Sequence, residues 1–152
     1  MQETIVVKED ALSVAVEVNS TIHEFGEPFN IEYFESRINR KQSLVLVAYV
    51  NDKPAGYMVS YNRDSDGSFY CWMAGVSPDF RRMGVIGRLM GYLETWAAGN
   101  GYRWITIKTR NNKREMLAFL VKAGFNFTGV EEHPATKDNR VLLEKRISKI
   151  TG

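Results

Sequence analysis

The sequence predicts one α/β domain over residues 3–150, with a mixed, largely antiparallel twisted sheet flanked by helices. Two observations carry this. Between Ser43 and Val76 the apolar residues fall into three consecutive strand-like runs. After them Val85, Ile86, Leu89, Met90, Leu93, Trp96 and Ala97 recur at helical spacing, and a further strand-like run, Arg103 to Thr109, follows. A strand–helix–strand unit of that length joins parallel strands through a right-handed crossover. The 152 residues, 44% hydrophobic and 25% charged, suffice for one core and not for two comfortable domains.

Taken in order, Ile5 to Val7 is a weak first strand. Asp10 is placed to cap a helix running to Asn19, and Asn30 a second one with Ile31, Phe34 and Ile38 on one face. His23 to Asn30, with a glycine and a proline, reads as the loop between them. Leu44 to Val50 and Ala55 to Tyr61 form a hairpin about Asn51-Asp52-Lys53. Phe69 to Val76 is apolar on both alternations, which predicts a central strand covered on both faces. Gly99 and Gly101 close the long helix. Asn112 with Glu115 predicts a capping box for the last helix, whose stripe is Met116, Leu117, Leu120 and Val121 and whose stop is Gly124. Phe125 to Val130 and Val141 to Lys145 complete the sheet around a polar loop at Pro134.

Composition excludes more than it assigns. A formal charge of +2 does not argue for nucleic acid. The longest apolar run, Leu44 to Val50, falls well short of the roughly 20 residues of a membrane helix. Met1-Gln2-Glu3-Thr4 lacks the basic start and apolar core of a signal peptide, and Cys71 is the lone cysteine, so the expected address is cytoplasmic. His23 and His133 are far apart and near no cysteine, so no metal is expected. Two basic clusters stand out, Arg81, Arg82 and Arg88, and then Lys108, Arg110, Lys113 and Arg114. Either suits a compact anionic ligand or a solvated face. A homodimer is left open.

The informative stretch is Val76-Ser77-Pro78-Asp79-Phe80-Arg81-Arg82-Met83-Gly84-Val85-Ile86-Gly87-Arg88. A buried strand runs into an arginine- and glycine-bearing turn that opens an amphipathic helix. First-turn N–H groups have no partners inside a helix, and its dipole favours negative charge there. Gly84 removes a Cβ from the approach, and Arg81 and Arg82 add full charge. Those are the requirements of a pyrophosphate cradle. Neither the P-loop nor the dinucleotide fingerprint fits, because the glycines fall at 84, 87 and 91.

Arg81-Arg82-Met83-Gly84-Val85-Ile86 between that strand and helix resembles the acetyl-CoA loop of the GNAT superfamily of N-acetyltransferases. Asn111-Asn112, opening a helix that ends Lys122-Ala123-Gly124-Phe125, is similar to the family's second cofactor motif. The order of elements resembles the family over nearly the whole chain. The resemblance implies that the strands through Val76 and Ile107 splay apart around a pantetheine arm. Backbone groups at Gly75 and Val76 would pair with that arm. The amides of Arg82, Met83, Gly84, Val85, Ile86 and Gly87 would hold the pyrophosphate with Arg81 nearby, and Asn111 or Asn112 would contact the cofactor. It further implies direct acetyl transfer from acetyl-CoA to a primary amine of a small molecule or peptide. Three departures accompany it. Ile86 stands where the family has a small residue, the motif asparagine falls at Lys113, and the tyrosine that protonates the departing thiolate in many members is Leu120, beside Phe119. That last departure motivates an alternative, an acetyl-CoA-binding regulatory module without turnover. A nucleic-acid or protein-binding domain using the basic clusters ranks below both. No residue is assigned as catalytic from the sequence.

Overall fold

The three apolar runs between Ser43 and Val76 build the centre of the molecule. In the computed structural model, which describes residues 4–22 and 29–147, they are β2 (Ser43–Val50), β3 (Lys53–Tyr61) and β4 (Ser68–Val76). Before them come β1 (Ile5–Glu9), α1 (Leu12–Asn19) and α2 (Ile31–Ile38). After them come α3 (Val85–Gly99), β5 (Trp104–Arg110), α4 (Arg114–Lys122), β6 (Asn126–Glu131) and β7 (Arg140–Arg146). The seven strands form one sheet in the order β1-β2-β3-β4-β5-β7-β6. Among the described strands only β4 and β5 are parallel, as the crossover through α3 requires.

Alternation sorts the side chains onto two faces. Leu44, Leu46, Ala48 and Val50 of β2 join Phe69, Cys71, Ile105 and Leu143 beneath α3 and α4. Val47, Tyr57 and Val59 join Ala15, Val18 and Phe34 beneath α1 and α2. The double-sided apolar pattern of β4 thus follows from its central place, with helices on both faces. On the α3 side the fit depends on Gly56. A Cβ there would stand 2.7 Å from Val85 Cγ1, so β3 and α3 approach at a distance only glycine permits.

Gly101 and Gly124 act as the expected stops, while Gly99 is the last residue of α3 itself. Gly101 (φ +87°) and Gly124 (φ +96°) lie in the left-handed region just past α3 and α4. Tyr102 N–H donates to the Ala97 carbonyl and Phe125 N–H to the Leu120 carbonyl, closing both ends as Schellman motifs.

Several starts and stripes differ from expectation. α1 begins after Ala11 without a side-chain cap. The Asp10 carboxylate instead accepts from Ala11 N–H and from the Tyr49 hydroxyl, anchoring the helix entry to β2. No capping box forms at α4, whose N-cap is Lys113. The loop at 136–139 holds the preceding turn, taking Asn111 N–H on the Asn139 carbonyl and Asn112 N–H on the Lys137 carbonyl, and shifts the helix start by one residue. Val121, expected inside, is 54% exposed. Leu117 and Leu120 define the buried side, and Val121 turns toward the edge strand β6, which is exposed throughout. Residues 23–28 lie outside the described residues, and with them most of the loop expected from His23 to Asn30.

Candidate active site

Strands β4 and β5 pair from Ser68↔Trp104 to Cys71↔Ile107 and no further. The next residue explains the parting. Against β3 the register passes from Ser60↔Cys71 to Val59↔Met73, so Trp72 is a surplus residue. Such a bulge bends its strand and increases the local twist. From it onward β4 stays with β3 and leaves β5, and a gap opens toward Val76. The expected splay is present.

Alternation decides which backbone groups face the gap. Ser77 N–H donates to the Ala55 carbonyl of β3 at 2.8 Å. Gly75 therefore turns toward β3 as well, and the open edge carries the backbone groups of Ala74 and Val76. Ala74 is a position that sequence reading passes over, because only the pairing register reveals it. The Val76 carbonyl is taken by Arg81 Nε at 3.2 Å, which ties the arginine turn to the strand end.

Beyond Val76, a short 3₁₀ turn at Pro78–Phe80 leads into the loop before α3. Arg82 (φ 66°) and Gly84 (φ 84°) both take left-handed backbone conformations. No atom lies within 4 Å of where a Gly84 Cβ would stand, so its place in the loop is set by backbone angle and by open space. Among the described residues the N–H groups of residues 82–87 donate to no acceptor. They sit at the positive end of a 15-residue helix.

A cleft of about 400 Å³ connects this loop with the gap and α4. Of the expected cofactor residues, Gly75, Val76, Arg81, Arg82, Gly84, Val85, Ile86 and Asn112 line it, and Met83, Gly87 and Asn111 do not. The Asn111 side chain instead bridges locally, donating to the Thr136 carbonyl at 3.3 Å and accepting from Arg114 at 3.0 Å. Arg88, in the first basic cluster, donates to the Ile5 carbonyl at 3.0 Å and anchors α3 to β1. From α4 the cleft receives Met116 and Phe119, while Leu120 is fully buried in the core. No hydroxyl side chain is among the described lining residues.

A second cleft, of about 450 Å³, lies across the gap beneath α2. Ala74, Lys113 and Met116 line both. Tyr70 and Cys71 border the second cleft, and burial pushes each of them up to about 12. Both therefore stay protonated near neutrality. No metal-binding group of three or more His, Cys, Asp or Glu side chains occurs among the described residues, and none of the described helices is long and apolar enough to cross a membrane.

Residues 16–125 match the Acetyltransferase (GNAT) family. The chain belongs to that family. Solved structures agree on the fold. The ribosomal-protein-S18-alanine N-acetyltransferase from Escherichia coli superposes with a TM-score of 0.80 at 18% identity, covering 96% of each chain. Ard1 from Thermoplasma volcanium gives 0.78 at 18% identity, covering 98% of this chain and 100% of its own. Aminoglycoside 6'-acetyltransferase type Ii gives 0.77 at 20% identity, covering 95% and 98%. Among curated protein sequences none matches. This GNAT acetyltransferase therefore keeps its family's frame at identities where the fold alone carries over.

Proposed function

We propose that this GNAT acetyltransferase uses acetyl-CoA to acetylate a primary amine directly, the first cleft holding the coenzyme and the second the acceptor. The observation that supports the reading most is the set of unbonded amides at 82–87 beside the left-handed Gly84. These donors suit a diphosphate, with Arg82 bordering the same cleft. The open edge of β4 at Ala74 and Val76 suits an amide-bearing arm. When bound, acetyl-CoA supplies an acetyl group activated as a thioester.

The chain's own residues then set two demands. An ordinary alkyl amine, with a pKa of about 10.4, is almost wholly protonated near neutrality, whereas an α-amine near 8 is not. No carboxylate or histidine is among the described residues lining the second cleft. Neighbouring positive charge disfavours an ammonium ion, so the cationic lining itself moves an acceptor toward its neutral form. An α-amine fits this arrangement better than a lysine side chain. On the departing side Leu120 offers no proton, and among the described residues Lys113 is the ionisable one that borders both clefts. Its charge is placed to stabilise the developing thiolate. The cytoplasmic address belongs to this same proposal.

Leu120 and the lack of a hydroxyl among the described residues lining the first cleft also favour a second reading, an acetyl-CoA-binding module with weak or no turnover. One experiment separates them. Acetyl-CoA binding is measured by calorimetry, and release of free CoA thiol is then followed across an amine panel. Binding with thiol release supports the enzyme, binding without release across the panel supports the module, and no binding overturns both.

A further inference from the structure

Six cations line the second cleft: Arg37 from α2, Arg63 from the β3–β4 turn, Lys108 and Arg110 from β5, Lys113 before α4 and Arg140 from β7. No acidic side chain is among its described lining residues. Among the described residues two acids answer from the rim, Asp64 against Arg63 at 3.0 Å and Glu131 against Lys108 at 3.3 Å. Among the described residues the Arg110 side chain makes no hydrogen bond or ion pair.

Solvated cations on a surface are ordinary, but these belong to a hollow with aromatic walls. The Arg37 guanidinium lies 5.5 Å from the Trp72 ring centre and 5.7 Å from that of Tyr33. Arg63 lies 3.8 Å from the centre of Tyr70. Ring faces attract such cations and hold them in place. Gathering like charges in one hollow is unfavourable until a counter-charge enters, and five separate segments contribute to it.

We propose that the acceptor is a small amine carrying a carboxylate or phosphate, bound by this cationic cleft while its amine points to the junction at Ala74, Lys113 and Met116. The inference rests on the first cleft holding acetyl-CoA. A hollow of about 450 Å³ suits a small metabolite. Bidentate pairing of arginine with an oxyanion supplies the discrimination.

The test uses calorimetry on the full chain loaded with CoA and three matched probe pairs: phosphoethanolamine with ethanolamine, glycine with glycinamide, and the peptides Glu-Glu-Ala with Gln-Gln-Ala. In the two small-molecule pairs the more anionic member binds tighter by about tenfold, and rising salt narrows the gap. Arg110→Gln or Arg37→Gln shrinks the gap to about twofold with the CoA affinity unchanged. Arg110, exposed at the end of β5, carries the test alone if Arg37→Gln disturbs α2 on circular dichroism. Equal binding within the small pairs, tighter binding of the members without an anionic group, or no binding of any probe overturns the proposal. So does a preference confined to the peptides. Failure of CoA to bind instead overturns the proposed function, and titrating the same probes into the CoA-free protein still tests the cleft.

Discussion

The two clefts meet at three of the described residues and are made of different material. The first is built from backbone: unbonded amides at 82–87, a left-handed glycine and an open strand edge. The second is built from side chains, guanidinium and ammonium heads set against aromatic rings. The difference teaches which changes each tolerates. A backbone cradle depends on conformation and fails when one glycine is lost. A side-chain lining depends on summed charge and weakens by degrees.

The sharpest break is Gly84→Leu. It places a side chain in a left-handed conformation at the cradle, and acetyl-CoA affinity falls on the order of 100-fold or more by calorimetry. The fold survives at a stability cost of about 1–2 kcal/mol, visible in thermal melting. Unchanged affinity would remove the contrast altogether. Gly56→Val strikes the packing beneath the cradle, because its Cβ meets Val85 at 2.7 Å. Overpacking there costs about 1–3 kcal/mol in urea denaturation. Lys113→Met sharpens the contrast from the side-chain half, lowering kcat by about tenfold while the KM for acetyl-CoA holds. The smallest effect is Gly91→Ala, in the interior of α3 with no atom within 4 Å of the added methyl. It raises stability by roughly 0.5–1 kcal/mol and leaves both clefts unchanged.

The same contrast explains what was legible beforehand. The proposed cradle is written in contiguous residues, Arg81 to Gly87, because a loop and one helix start contain it. The sheet was legible because Leu44 to Val50 and Phe69 to Val76 are short, β-rich apolar runs bounded by polar turns. The second cleft draws Arg37, Arg63, Arg110 and Arg140 from a stretch of about a hundred residues, and no local pattern marks them as neighbours. Ala74 was invisible for another reason. Its importance lies in the direction of its peptide groups, which depends on the surplus residue at Trp72. The missed α4 cap has a similar origin, since the 136–139 loop, remote in sequence, sets where that helix starts.

The bulge at Trp72 separates two kinds of inheritance. The aperture between β4 and β5 follows from backbone register, and the chemistry of its walls follows from residues on other segments. Wall residues can therefore drift singly, from arginine to glutamate or from charged to apolar, without shutting the aperture. A lineage holding such a strand can change its customers while keeping its doorway.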